Sequence, residues 1–248
     1  MRLNEGTGLL VVPVYNIRHM NTAKIIVIDG GVNVGKATQA DMLVNRLMNE
    51  GWLVGKMDFP RYNQNTVGRF IQELDDQNAL AALNPKVLAT LFAADRFEAK
   101  EQIVEWVQEG RVIVFDRYVS ANMLHQGAKI SDADAREEFF KWVEHLEHDI
   151  FGLPRPDLTI YLDIPPEESQ KLLEYIEDFG VSVVDPEGQD KLHQAKVSKC
   201  AKYLALTHDK WETVQCLTEG NLRPREDIHA EVYAIAARHL GEAPAAKN

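Results

Sequence analysis

The sequence predicts a doubly wound α/β domain of three layers, a parallel sheet with helices on both faces. Three observations carry that expectation. Short β-rich runs alternate with helical patterns from Lys24 onward. Two of the runs, "RVIVFD" (111–116) and "LTIYLD" (158–163), are almost continuously apolar and end in Asp, as strands buried on both faces do. A glycine-rich stretch, "DGGVNVGKATQA" (29–40), joins the first strand to the first helix. In such sheets, ligands bind beyond the carboxyl ends of the strands.

In chain order, "KIIVID" (24–29) reads as the first strand and Lys36–Glu50 as the first helix. "LVGKMDF" (53–59) is the second strand, followed by helices over Thr66–Asp76 and Pro85–Glu109. Pro85 suits a first turn with Asn84 as its cap, because proline lacks the N–H that a helix start leaves unbonded. After the third strand at 111–116 comes a helix over Asp132–Glu147, where Phe139, Phe140, Trp142, Val143 and Leu146 form an apolar stripe. His145 and His148 lie three apart on it. A metal pair is conceivable there, but charges opposite an apolar stripe are the ordinary amphipathic pattern. The fourth strand at 158–163 leads through Pro166 to a helix over Glu167–Asp178, then a helix over Gln189–Leu206. "WETVQC" (211–216) is the fifth strand, and Arg225–Leu240 the last helix. The organisation expected is an extension at 1–22, one domain over 23–240 with a lid near 164–192, and a flexible tail at 241–248. The apolar piece "LLVVPVY" in the extension is short for a secretory signal; it reads as an added strand, a tail, or a stretch ahead of a start at Met20.

The chain has 248 residues, enough for one large core, with 45% hydrophobic and 26% charged residues. Its net charge of −11 argues against general nucleic-acid binding, which needs a basic face to neutralise phosphates. Cys200 and Cys216 form no disulfide framework or zinc pattern, and no apolar run approaches a membrane span. A cytoplasmic protein is expected.

The stretch after the first strand carries the chemistry. Gly30 and Gly35-Lys36 match G-x-x-x-x-G-K-[ST] up to its final position. Backbone N–H groups of Gly30, Gly31, Val32, Asn33, Val34, Gly35, Lys36, Ala37 and Thr38 can curl around phosphate oxygens. The helix after them turns its positive end inward, and Lys36 reaches the β and γ phosphates. The plainer reading is a tight strand–helix turn with a surface lysine. Ala37 replaces the hydroxyl that often touches Mg²⁺, but "GKATQA" is similar to the G-K-G-T-Q-A loops of adenylate-kinase-like proteins, with Thr38 available.

"FPRYNQNTVGRFI" (59–71), "LFAADRFE" (91–98), "DRYVSANMLHQGAK" (116–129) and "GLPRPDLTIYLDIPPEES" (152–169) together resemble the thymidylate kinase family, in order and spacing, from about Lys24 to Cys216. The resemblance implies a P-loop kinase with a five-stranded parallel sheet, usually homodimeric, that transfers the ATP γ-phosphate to dTMP with Mg²⁺. It implies that Phe59 and Arg61 belong to the loop facing the acceptor monophosphate and that Arg96 binds acceptor phosphate. Phe92, four residues earlier on the same helix face, would stack on the base. Asp116 would hold Mg²⁺ through water or orient the acceptor, and Arg117 would bridge phosphates. Asn122, Gln126 and His125 would lie beside the nucleoside. Without the resemblance, Phe92 reads equally as core, Arg61 and Arg96 as surface arginines, Asp116 as a helix cap and His125 as structural. Lys36, Arg96, Asp116 and Arg117 are the candidate catalytic set.

Three departures from the family pattern stand out. Val32 and Asn33 occupy places where relatives carry Asp and Gly or Arg. The segment 156–222 contains no arginine, leaving only lysines, Lys171, Lys191 and Lys196 among them, amid many carboxylates. The lid motif survives only as Asp190 with Leu192 and His193. Removal of an arginine-finger contact costs about 10³–10⁵-fold in turnover. A slow kinase, a kinase for another nucleotide and a silent nucleotide-binding paralogue all fit that pattern.

Overall fold

The computed structural model describes residues 23–169 and 191–241. The expected extension (1–22), the helix over Glu167–Asp178 beyond its first residues, most of the lid, and the tail after Gly241 lie outside the described residues.

Five strands form one parallel sheet: β1 (Lys24–Gly30), β2 (Val54–Asp58), β3 (Val112–Asp116), β4 (Leu158–Asp163) and β5 (Trp211–Gln215), in the order β2-β3-β1-β4-β5. All five expected strands are present, to within a residue or so at each end. The alternation of side chains explains why the runs are so apolar. Ile25 and Val27 enter one core layer with Ile113, Phe115 and Tyr161, while Ile26 and Ile28 enter the other with Val114, Ile160 and Leu162. β1 is flanked by β3 on one side and β4 on the other. The chain therefore leaves the sheet in opposite directions at this point, and a crevice opens beyond the carboxyl end of β1.

Helix α1 (Lys36–Asn49) follows β1, and α2 (Thr66–Asp76) follows β2, capped by the Asn65 side chain, which accepts from Gly68 N at 2.7 Å. The expected helix over Pro85–Glu109 is two helices, α3 (Pro85–Glu98) and α4 (Lys100–Gln108). The break comes at Ala99, whose N–H bonds to Arg96 O in a tightened turn at 3.1 Å. Asn84 caps α3 as expected, accepting from Lys86 N at 2.9 Å. Residues 119–129, not anticipated as an element, are helical throughout, with a π-helical turn over Asn122–Gln126. Helix α5 (Ala133–Glu144) passes into a π-helical turn over His145–Ile150. α6 (Lys191–Thr207) and α7 (Arg225–Leu240) complete the two helical layers. A small hairpin, β6 (Leu217–Thr218) with β7 (Asn221–Leu222), turns through Glu219 and Gly220, both at positive φ (51° and 79°). Among the described residues no helix is long and apolar enough to cross a membrane.

Candidate active site

The loop after β1 has the backbone of an anion cradle. Asn33 (φ 56°) and Gly35 (φ 83°) are both left-handed, which turns successive N–H groups toward a common centre. Asn is the non-glycine residue best suited to that conformation, so Asn33 sustains the left-handed turn of the loop. Gly30 is required by space, since a Cβ there would stand 2.6 Å from Val34 Cγ2 and 3.0 Å from Leu162 O. Lys36, buried at the start of α1, folds back to donate to Gly31 O at 2.5 Å. Val32 is held from outside the loop: its N–H donates to Gln194 Oε1 of α6 at 3.3 Å, and its carbonyl accepts from Ser169 Oγ at 2.6 Å.

Asp29, at the end of β1, is fully buried, accepting from Gly30 N at 2.8 Å and from Ser120 Oγ at 2.5 Å. Burial raises its pKa despite those bonds and the nearby Lys36. Asp116 ends β3 in register with Ile28 of β1, and Arg117 follows it. Burial also raises the Asp116 pKa, opposed by the charges of Lys36 and Arg117. Its carboxylate accepts no hydrogen bond among the described residues, which leaves its oxygens for a hydrated cation. Arg117 adopts φ 61° and bonds through its N–H to Ile28 O at 3.0 Å, a conformation unusual outside glycine that re-aims the chain at the strand end.

These loops border a cavity of about 550 Å³. Phe59, Phe92, Arg96, Arg117, Asn122, His125 and Gln126 all line it, so seven of the eight residues expected to contact the acceptor converge there. Val32 also faces it. Phe92 packs against the Ile71–Leu88 cluster as well, so its core role and its place on the cavity wall coexist. Arg61 is the exception: it is absent from the cavity lining, and its guanidinium donates to Gln64 at 3.2 Å. Its backbone N–H is fixed by Asp95 Oδ2 at 3.0 Å, and Asp95 also accepts from Asn65 at 2.7 Å, so one buried carboxylate anchors the loop after β2.

Arg96 is not a surface arginine. It is 2% exposed and forms a two-pronged ion pair with the fully buried Glu147, Nε to Oε2 at 2.5 Å and Nη2 to Oε1 at 2.7 Å. Burial disfavours its charge, but Glu147 more than offsets that, and its pKa lies above the usual arginine value. Asn122 joins the same carboxylate, its Nδ2 donating to Glu147 Oε1 and to Ala89 O, each at 2.9 Å. The sequence reading missed Glu147. The available signal was a carboxylate four residues after Val143, on the apolar face of the helix rather than opposite it. His145 and His148, on the same turn, bond to Asp149 and to Leu153 O; among the described residues no cluster of three or more ligating side chains forms a metal cage.

His125 is buried, with its ring 6.1 Å from that of His193. Its pKa is pushed well below the usual value, first by burial and then by Arg117, His193, Lys36 and Lys129. It is neutral near pH 7, and the charges acting on it mark an electropositive region within an acidic chain. The cavity wall therefore combines cations, Arg117 and Lys129, and the loop residue Val32 with a compensated arginine, an amide and a phenyl ring.

Comparison with known proteins identifies the family. A family model described as thymidylate kinase matches residues 28–218. The thymidylate kinase of Schizosaccharomyces pombe is 29% identical over 88% of this chain and 93% of its own length. That of Dictyostelium discoideum is 31% identical over 85% of this chain and 83% of its own. The thymidylate kinase of Mycobacterium tuberculosis is 31% identical over 58% of this chain and 67% of its own.

Proposed function

The chain belongs to the thymidylate kinase family of phosphotransferases, and we propose that it transfers the γ-phosphoryl group of ATP to dTMP, giving dTDP and ADP. An acceptor phosphate oxygen attacks the γ-phosphorus, and the bond to the β–γ bridging oxygen breaks, leaving ADP. Lys36 and the loop N–H groups would hold the donor phosphates; Arg117 would span donor and acceptor. Mg²⁺ would be held by phosphate oxygens and, through water, by Asp116, with the Thr38 hydroxyl nearby. It would neutralise charge on the transferring group.

The observation that carries the choice of base is the hydrogen bonding of Arg96 and Asn122 to Glu147. Glu147 and Ala89 O take both hydrogens of the Asn122 amide, so Oδ1 remains as its acceptor. Arg96 keeps Nη1 as a donor beside it. A donor next to an acceptor matches the 4-carbonyl and N3–H of thymine or uracil. Cytosine presents the opposite pair. The compensated charge also suits Arg96 to a neutral carbonyl better than to a phosphate dianion, leaving the phosphate role to Arg117. Phe92 would lie against the base, with His125 and Gln126 beside the nucleoside.

A cytoplasmic homodimer completes the proposal; exposed Phe70, Val87 and Phe97 on α2 and α3 give an apolar surface for it, and a sedimenting mass near twice 28.1 kDa would support it. The test of activity is coupled ADP release with ATP and dTMP. Turnover that disappears in Lys36→Ala supports the proposal. The second reading, a silent nucleotide-binding subunit, draws on the absence of arginine from 156–222; calorimetric binding of dTMP without ADP release would select it.

A further inference from the structure

Glu147 is a fully buried carboxylate behind Arg96 and Asn122, two residues of the cavity wall, and the bonds it makes leave little freedom to them. Oε2 accepts from Arg96 Nε at 2.5 Å, while Oε1 accepts from Arg96 Nη2 at 2.7 Å and from Asn122 Nδ2 at 2.9 Å. The second Asn122 hydrogen goes to Ala89 O at 2.9 Å. Turning the Asn122 amide over would set its oxygen against two acceptors, one of them ionised. A buried amide facing two acceptors has one acceptable orientation. Arg96 is fixed by the same carboxylate, because its two bonded nitrogens define the plane of the guanidinium.

We propose that Glu147 is the positioning residue that sets base selectivity, acting through Asn122 and Arg96 to hold an acceptor and a donor toward the base. This rests on the kinase reading above and adds a role to a residue that would not itself touch the nucleotide. Glutamine at 147 keeps the volume but brings an NH₂ group, which can donate to a reversed Asn122, so that only Ala89 O still opposes the reversal. It thereby weakens the preference for the amide orientation that excludes cytosine. It also releases the guanidinium from its fixed plane.

The test compares wild type and Glu147→Gln with dTMP, dUMP and dCMP at saturating ATP. The dTMP-to-dCMP and dUMP-to-dCMP ratios of kcat/KM are expected to fall about tenfold, as when a buried hydrogen-bonding site loses its fixed polarity. The dTMP-to-dUMP ratio stays unchanged, since both bases share the same edge. A purely structural role would lower all three substrates together, and ratios within one preparation do not depend on how much enzyme is folded. If Glu147→Gln is insoluble, Glu147→Asp keeps the counter-charge of Arg96 but draws the carboxylate back from Asn122, and is expected to lower the same ratios. An unchanged dTMP-to-dCMP ratio in the soluble variant overturns the role of Glu147 while leaving the kinase reading in place. A wild-type enzyme that does not prefer dTMP over dCMP overturns the reading of the base end. Wild type that transfers phosphate to none of the three overturns the kinase reading and, with it, this inference.

Discussion

In one region of the cavity wall, Arg96 lies 2.5 and 2.7 Å from one carboxylate and is shut away from water. At the loop end, Lys36 is bonded to a backbone carbonyl and Arg117 stands half-buried beside Asp116, whose oxygens accept no hydrogen bond among the described residues. The first arginine is neutralised by a two-pronged ion pair within the protein. The second region gathers Lys36 and Arg117 around the carboxylate of Asp116. On the proposed function the two arrangements serve different tasks: fixed polarity for a neutral base and positive charge for phosphoryl transfer.

The largest expected effect lies at the loop end. Lys36→Ala should lower turnover by about 10²–10³-fold, the usual cost of removing one group that stabilises transition-state charge, with thermal stability little changed. Coupled ADP release and a melting curve together check this. Next is the opposite end, where the damage should appear in stability. Glu147→Ala leaves a buried arginine without its counter-charge and is expected to cost about 3–5 kcal/mol in urea unfolding. Equal effects of the two variants on folding would erase the distinction between the two ends.

How much of this was legible in the sequence follows from the same physics. The five strands could be read because apolar runs between turn residues have few alternatives, and the cradle because its glycines sit at fixed spacing after a strand. The convergence of Phe92, Arg117, Asn122 and His125 came from the family resemblance; composition and spacing alone left each with a plainer role. The ion pair of Arg96 was hidden because Glu147 is 51 residues away in the chain and sits in a helix rich in solvated carboxylates. Asp95 escaped for a similar reason, since a buried acid that anchors backbone N–H groups looks like any other Asp. The break at Ala99 has no proline or glycine to announce it. The Glu219–Gly220 turn did have its glycine.

Smaller effects sharpen the comparison. Phe92→Ala should raise KM for dTMP about tenfold with kcat nearly unchanged, since base stacking is worth about 1–3 kcal/mol per ring and belongs to ground-state binding as much as to the transition state. The pH profile separates the ends again. Asp116 is raised by burial, so as pH falls its carboxylate takes up a proton above the ordinary aspartate range, and kcat/KM should decline there. Asp116→Asn should abolish that acid limb. Smallest is Ser169→Ala, which removes the bond to Val32 O and should cost about 1 kcal/mol of stability.

The most direct measurement is the ratio of kcat/KM for dTMP against dCMP in the unaltered enzyme. A preference for dTMP of about 10²-fold or more is expected from a buried donor and acceptor fixed to match one edge. Equal use of the two, or a preference for dCMP, would contradict the reading of Arg96, Asn122 and Glu147 as the base-selecting end.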